Sequence, residues 1–128
     1  MSAALSFATP PHGLAPHTDF ELREVDGADG LFALQAVADA GIRLFVLDAS
    51  VYLPDYSPVI SDEDCVKLDV HTADDALVLV VANPAAGGTT MNLLAPIVVN
   101  ATSGASAQII LDGQDFPLRA QLSSVRAA

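Results

Sequence analysis

The chain has 128 residues, with sixteen acidic side chains against five basic ones and a formal net charge of −11. That length suits one domain of ~100–150 residues with a core of its own. The charge argues against direct binding to nucleic acid phosphates, because that affinity comes from lysine and arginine displacing counterions, and Lys67 is the only lysine.

The acids are mostly aspartate, and with eight Gly and eight Pro they point to many turns and few helices. In chain order, Leu5 to Ala8 is a first strand, closed by Thr9-Pro10-Pro11. Met1 to Pro11 has neither the basic start nor the long apolar stretch of a secretory signal. His12 to Thr18 is a loop broken by Gly13 and Pro16. Phe20 and Leu22 alternate with Glu21 and Arg23, as in a strand with one wet face. Asp26 to Gly30 turns the chain, and Leu31 to Ala36 returns to form a hairpin. Ile42 to Leu47 is a mostly buried strand, and Val51 to Tyr56 is extended, with Pro54 marking an exit from the sheet.

Ser61-Asp62-Glu63-Asp64 is the one good helix start, since Ser61 can cap and the acids suit the positive end of the helix dipole. Asp64 stands where a capping box wants Glu or Gln. Ala76 to Ala82 is a central strand, ended by Asn83-Pro84; it is far shorter than the ~20 apolar residues of a membrane span. Thr89 to Leu94 returns, Pro96 interrupts the run and predicts a bulge or strand switch, and Ile97 to Asn100 continues. Ala107 to Leu111 closes a last hairpin. Short apolar runs alternating with turn clusters are the signature of a small all-β, mainly antiparallel domain. One domain over 1–128 is expected, with 1–12 and 123–128 frayed.

Catalytic and metal chemistry is poorly served. His12 and His17 sit in the Pro/Gly loop without ligand spacing, and read as solvent-exposed. Cys65 and His71 flank the short helix, where the thiol serves as a small hydrophobe. A lone cysteine also excludes an internal disulfide and fits a reducing compartment. Asp62, Glu63 and Asp64 are consecutive and do not converge, so they are helix-start charge rather than a metal site. Two stretches carry alternatives. Leu53-Pro54-Asp55-Tyr56 is either a tyrosine corner or a contact site. The segment from Asn92 to Asn100 is either a bulge with asparagine-satisfied backbone or part of a binding surface.

These blocks together resemble the flagellar assembly factor FliW family. Leu53-Pro54-Asp55-Tyr56 is similar to the family's "FPDY", Ser61-Asp62-Glu63-Asp64 to its "SDED", and Met91 to Asn100, "MNLLAPIVVN", to its "NLLAPIVIN". Gly30 to Ala36, Gln108 to Leu111 and Phe116-Pro117-Leu118-Arg119 extend the likeness over roughly Leu14 to Leu122. The "GLPGF" loop is lengthened here, and Ala36 stands where serine is usual. The resemblance implies a small barrel-like β domain with one short helix. It also implies a non-enzymatic, cytoplasmic regulator without cofactor that binds flagellin and the RNA-binding regulator CsrA, relieving repression of flagellin translation. The residues expected to meet partners are Asp55, Tyr56, Asp62, Glu63 and Asp64, with Asn92 and Arg119 as motif positions. An acidic cluster would speed encounter with CsrA more than it sets affinity. The alternatives are a flagellin-only chaperone, or a small β-barrel enzyme or cofactor-binding protein marked by a pocket lined by Cys65 and His71.

Overall fold

The computed structural model describes residues 2–11, 14–25, 27, 30–39, 41–53, 56, 58, 60–72, 75–85, 88–111 and 120–121. Its strands are β1 (Ser2–Phe7), β2 (Asp19–Glu24), β3 (Leu31–Ala36), β4 (Arg43–Asp48), β5 (Ala76–Ala85), β6 (Gly88–Asn100), β7 (Ala105–Gln108) and β8 (Ala120–Gln121). Between β4 and β5 lie two short helices, α1 (Ala49–Tyr52) and α2 (Asp62–Lys67). The sheet runs β5-β4-β3-β2-β1-β7-β6-β8, and an additional β5–β6 pairing closes it into a barrel. The β1–β7 pair is parallel; the other pairings are antiparallel. The all-β expectation therefore holds.

The barrel interior is filled at period two, as the pleat requires. Leu5 and Phe7, Phe20 and Leu22, Leu34 and Ala36, Val46, Leu79 and Val81, and Ile97 and Val99 form one buried cluster. Phe7 and Phe20 meet edge to face, with ring centroids 5.4 Å apart. The intervening residues of β2, Glu21 and Arg23, point away from this cluster, hence the alternation seen there. β4, β5 and β6 are different. Their outward residues Leu47, Val80, Ala82, Met91 and Leu93 pack under α1 with Ala49 and Leu53. Val98 packs with Leu68 at the end of α2, and with Ile109 and Leu111. Strands covered on both faces need near-continuous apolar runs, which is why residues 77–82 and 93–99 carry them.

Several expectations need correction. The first strand is Ser2–Phe7 rather than Leu5 to Ala8, and it pairs with both β2 and β7, so residues 2–7 are built into the barrel rather than frayed. Residues 123–128 lie outside the described residues. Among the described residues there are two short helices, not one. Val51 and Tyr52 have strand propensity, yet they lie in α1. There Asp48 caps by accepting from the Ser50 N–H at 2.9 Å, and the Leu53 N–H donates to the Ala49 carbonyl at 2.7 Å. Burial of Ala49 and Leu53 overrides the local preference. β5 also runs past Asn83-Pro84 to Ala85. Its pairing with β4 stops at Ala82, so proline's missing N–H removes no ladder bond on that side.

The break predicted at Pro96 is a bulge in β6. Leu79 pairs with Ile97, whereas Val81 pairs with Asn92, so residues 93–96 have no ladder partner on β5. After β7, the N–H groups of Ile109 and Leu111 donate to the carbonyls of Pro96 and Leu94, at 2.9 and 2.8 Å. The β6–β7 turn requires Gly104. Its φ is +83°, and an added Cβ would stand 2.3 Å from the Ala4 carbonyl oxygen.

Candidate partner-binding surface

Of the expected site residues, Tyr56 and the three acids of α2 lie in the segment between β4 and β5, and Asn92 lies in β6. Asp55 and Arg119 lie outside the described residues. The other five divide into two groups.

Tyr56 and Asn92 meet at the bulge. Asn92 Oδ1 accepts from the N–H groups of Leu94 and Ala95, at 3.0 and 3.1 Å, and so satisfies backbone that the β6 ladder leaves unpaired. The Tyr56 hydroxyl donates to the Leu93 carbonyl in the same bulge. Its ring packs against both clusters outside the barrel. Burial pushes the Tyr56 pKa above the ordinary tyrosine value, so the phenol keeps its donor proton into more alkaline solution than an exposed tyrosine does. Here the asparagine-satisfied bulge is observed directly, and Tyr56 joins it to the segment entering α2.

Asp62, Glu63 and Asp64 form the first turn of α2. The Asp64 N–H donates to Ser61 Oγ at 3.2 Å, and the Ser61 hydroxyl donates to Asp64 Oδ2 at 2.9 Å. Aspartate is too short for the usual capping box, so its carboxylate takes the hydroxyl rather than the cap's own N–H. Glu63 pairs with Lys67 at 3.5 Å, both largely exposed, a contact of little energetic weight. The far end of α2 is held by Asn100. Its Nδ2 donates to the carbonyls of Leu68 and Asp69, at 2.8 and 3.1 Å. Its Oδ1 accepts from the N–H groups of Thr102 and Ser103, at 2.9 and 3.0 Å. This buried amide uses both ends, as buried polar groups must.

Between α2 and the barrel lies an apolar groove of about 580 Å³, with Ile60, Cys65, Val70, Val78 and Val98 among its walls. A smaller cavity of about 260 Å³ under α1 shares Pro58, Ala76 and Val78 with it. The groove was not legible in the sequence. Its one local signal was Val66, an apolar residue on the exposed side of α2, 79% accessible. Cys65 and His71 both line the groove, as a catalytic reading would require. However, His71 Nε2 lies 2.8 Å from Asp69 Oδ1, on an exposed pair, rather than on the thiol. Among the described residues no group of three or more His, Cys, Asp or Glu is placed to hold a metal ion, and no helix is long and apolar enough to cross a membrane. His17, expected on the surface, is half-buried, and its N–H donates to the Leu14 carbonyl; His12 lies outside the described residues.

Comparison with known proteins adds three findings. A family model described as "FliW protein" matches residues 1–122. The chain is 34% identical over 93 residues to "Flagellar assembly factor FliW" of Thermotoga neapolitana, covering 70% of this chain and 62% of that protein. It is 31% identical over 117 residues to the protein of the same description in Desulfitobacterium hafniense DCB-2, covering 88% and 77%. Against the Thermotoga protein, and likewise one from Desulfitobacterium hafniense Y51 of which 61% is covered, the chain spans about three fifths of the relative's length. Its fold is similar to a solved chain described as "Crystal structure of the flagellar assembly factor FliW", with a TM-score of 0.86 at 23% identity, over 93% of this chain and 84% of that one.

Proposed function

The chain belongs to the FliW family, and from that premise we propose that it is a non-enzymatic flagellar assembly factor that acts in the cytoplasm by binding partners. The partners proposed are a CsrA-like RNA-binding regulator, whose repression of flagellin translation it relieves, and flagellin itself. The observation that carries this reading is the placement of α2. Its acidic first turn stands on the surface, with Asp62 on the wall of an apolar groove, so charge and apolar area lie side by side. A surface of net charge −11 accelerates encounter with a basic partner and disfavours RNA itself. The RNA pathway is thus reached through a protein.

The test is titration calorimetry of the purified protein with the cognate CsrA and, separately, with flagellin. Binding of both is the expected result, with the CsrA association weakened by added salt. Absence of binding to either at micromolar concentration overturns the proposal. A second reading, a chaperone for flagellin alone, is favoured by the apolar groove, because amphipathic helices dock in such grooves. Binding of flagellin without CsrA would select it.

A further inference from the structure

We propose that the groove between α2 and β5 receives an amphipathic helix of a partner protein, one whose apolar stripe is bordered by lysine or arginine. This deepens the partner-binding reading above and rests on it. The observations are the groove's shape and its charge. The larger cavity and the one under α1 share Pro58, Ala76 and Val78, so the two adjoin along the barrel wall. The larger, apolar groove can take the apolar side chains that an amphipathic helix presents on one face. Val66, in the wall of the larger cavity and 79% exposed, carries its apolar surface out to the open rim.

The charge selects the helix. Among the described lining residues the only charged side chains are Asp62, in the larger lobe, and Asp48, in the smaller. On the same side, Asp69 is exposed beside His71, and Asp75 Oδ2 accepts from the N–H groups of His71 and Thr72. Lys67, the only lysine of the chain, is paired with Glu63. Carboxylates on the walls of both cavities, Asp62 and Asp48, complement a basic border and repel an acidic one.

Cys65 makes this testable without a probe mutation, because it is the only thiol of the chain and lies in the groove wall. The measurement is its alkylation rate by iodoacetamide in the full chain. It is taken alone, with a synthetic leucine–lysine peptide at helical spacing, and with a leucine–glutamate twin. Thiol reactivity follows access, so the basic peptide should slow the reaction about tenfold or more, and the acidic one should not. Val66→Lys should remove that protection. Its unfolding midpoint should not change, since the site is exposed.

Failure of the basic peptide to slow alkylation overturns the proposal, and equal slowing by both peptides overturns its charge selection. Slowing that grows with protein concentration alone would assign the groove to a second copy. Slowing by the apolar dye anilinonaphthalene sulfonate but by neither peptide would assign it to a small ligand. Either result overturns the proposal. The outcome is separable from the functional reading. CsrA and flagellin binding that survives Val66→Lys and leaves Cys65 reactive would defeat this groove alone. Peptide protection without binding to either protein would defeat the proposed partners alone.

Discussion

The hydroxyl of Tyr56 donates to the carbonyl of Leu93, 37 residues away in sequence, in a bulge whose next two N–H groups are held by Asn92. Two motif residues that are separate in sequence thus act on one irregularity of β6. Through it, the segment leading into α2 is anchored to the barrel wall. Tyr56→Phe removes the donor and keeps the ring. It should lower stability by about 1–2 kcal/mol, the usual effect of leaving such a carbonyl without its partner, read as a drop in the urea midpoint at unchanged m-value.

The same bond predicts a pH dependence. Burial raises the Tyr56 pKa above 10.0, its ordinary value. The folded state therefore holds this proton where the unfolded state has lost it. The contribution is complete below pH ~10 and is lost as pH rises through the higher folded-state pKa. Stability of the wild-type chain should fall with increasing alkalinity above pH ~10, and Tyr56→Phe should show a shallower fall. Equal slopes for the two proteins would refute this assignment.

Asn100 closes four hydrogen bonds at the end of α2 and the β6–β7 turn. Asn100→Ala leaves the buried Leu68 carbonyl and three part-buried backbone groups without that partner, at a cost of about 1–3 kcal/mol. Because α2 forms one wall of the groove, hydrogen exchange of the Leu68 to Val70 amides should accelerate more than exchange in β2. A uniform change across the barrel would contradict this local role.

Gly104→Ala tests the closure of the barrel. The residue has a positive φ, and the new Cβ would meet the Ala4 carbonyl at 2.3 Å. That backbone belongs to β1, whose Ser6 N–H donates to the Gly104 carbonyl at 3.0 Å. Strain and overpacking together should cost about 2 kcal/mol or more. A thermal midpoint within a degree of wild type would show that the turn relaxes freely.

The acidic turn of α2 is tested by replacing Asp62, Glu63 and Asp64 with their amides. Stopped-flow association with the CsrA-like partner proposed above should slow severalfold at low ionic strength and converge with wild type as salt screens the field. The dissociation rate should change less. Loss of favourable charge at the helix start should cost about 0.3–1 kcal/mol, so the folded fraction is checked in parallel. An unchanged association rate would leave these charges a role in solubility alone.

The sequence by itself determined the local parts of this protein. Alternation at Phe20 and Leu22 marked a half-wet strand, Ser61 with its following acids marked the start of α2, and Pro96 after Asn92 marked the bulge. Each is decided by neighbours within a few residues, through pleat, cap and missing N–H. The likeness of residues Met91 to Asn100 to one family was legible for the same reason, since a bulge and its asparagine cap are written consecutively. Tertiary structure decided the rest. Val51 and Tyr52 turned helical because Ala49 and Leu53 are buried against β4, β5 and β6. Residues 2–7 became a barrel strand because Ser2 to Ser6 pair with β2, and because Ser6 and Phe7 pair in parallel with β7, about a hundred positions later. The groove depends on α2, β5 and β6 meeting, with Asn100 holding the end of α2 from the other side of the site. Contacts of such sequence separation are set by what each element buries against, and no local pattern of side chains records the partner.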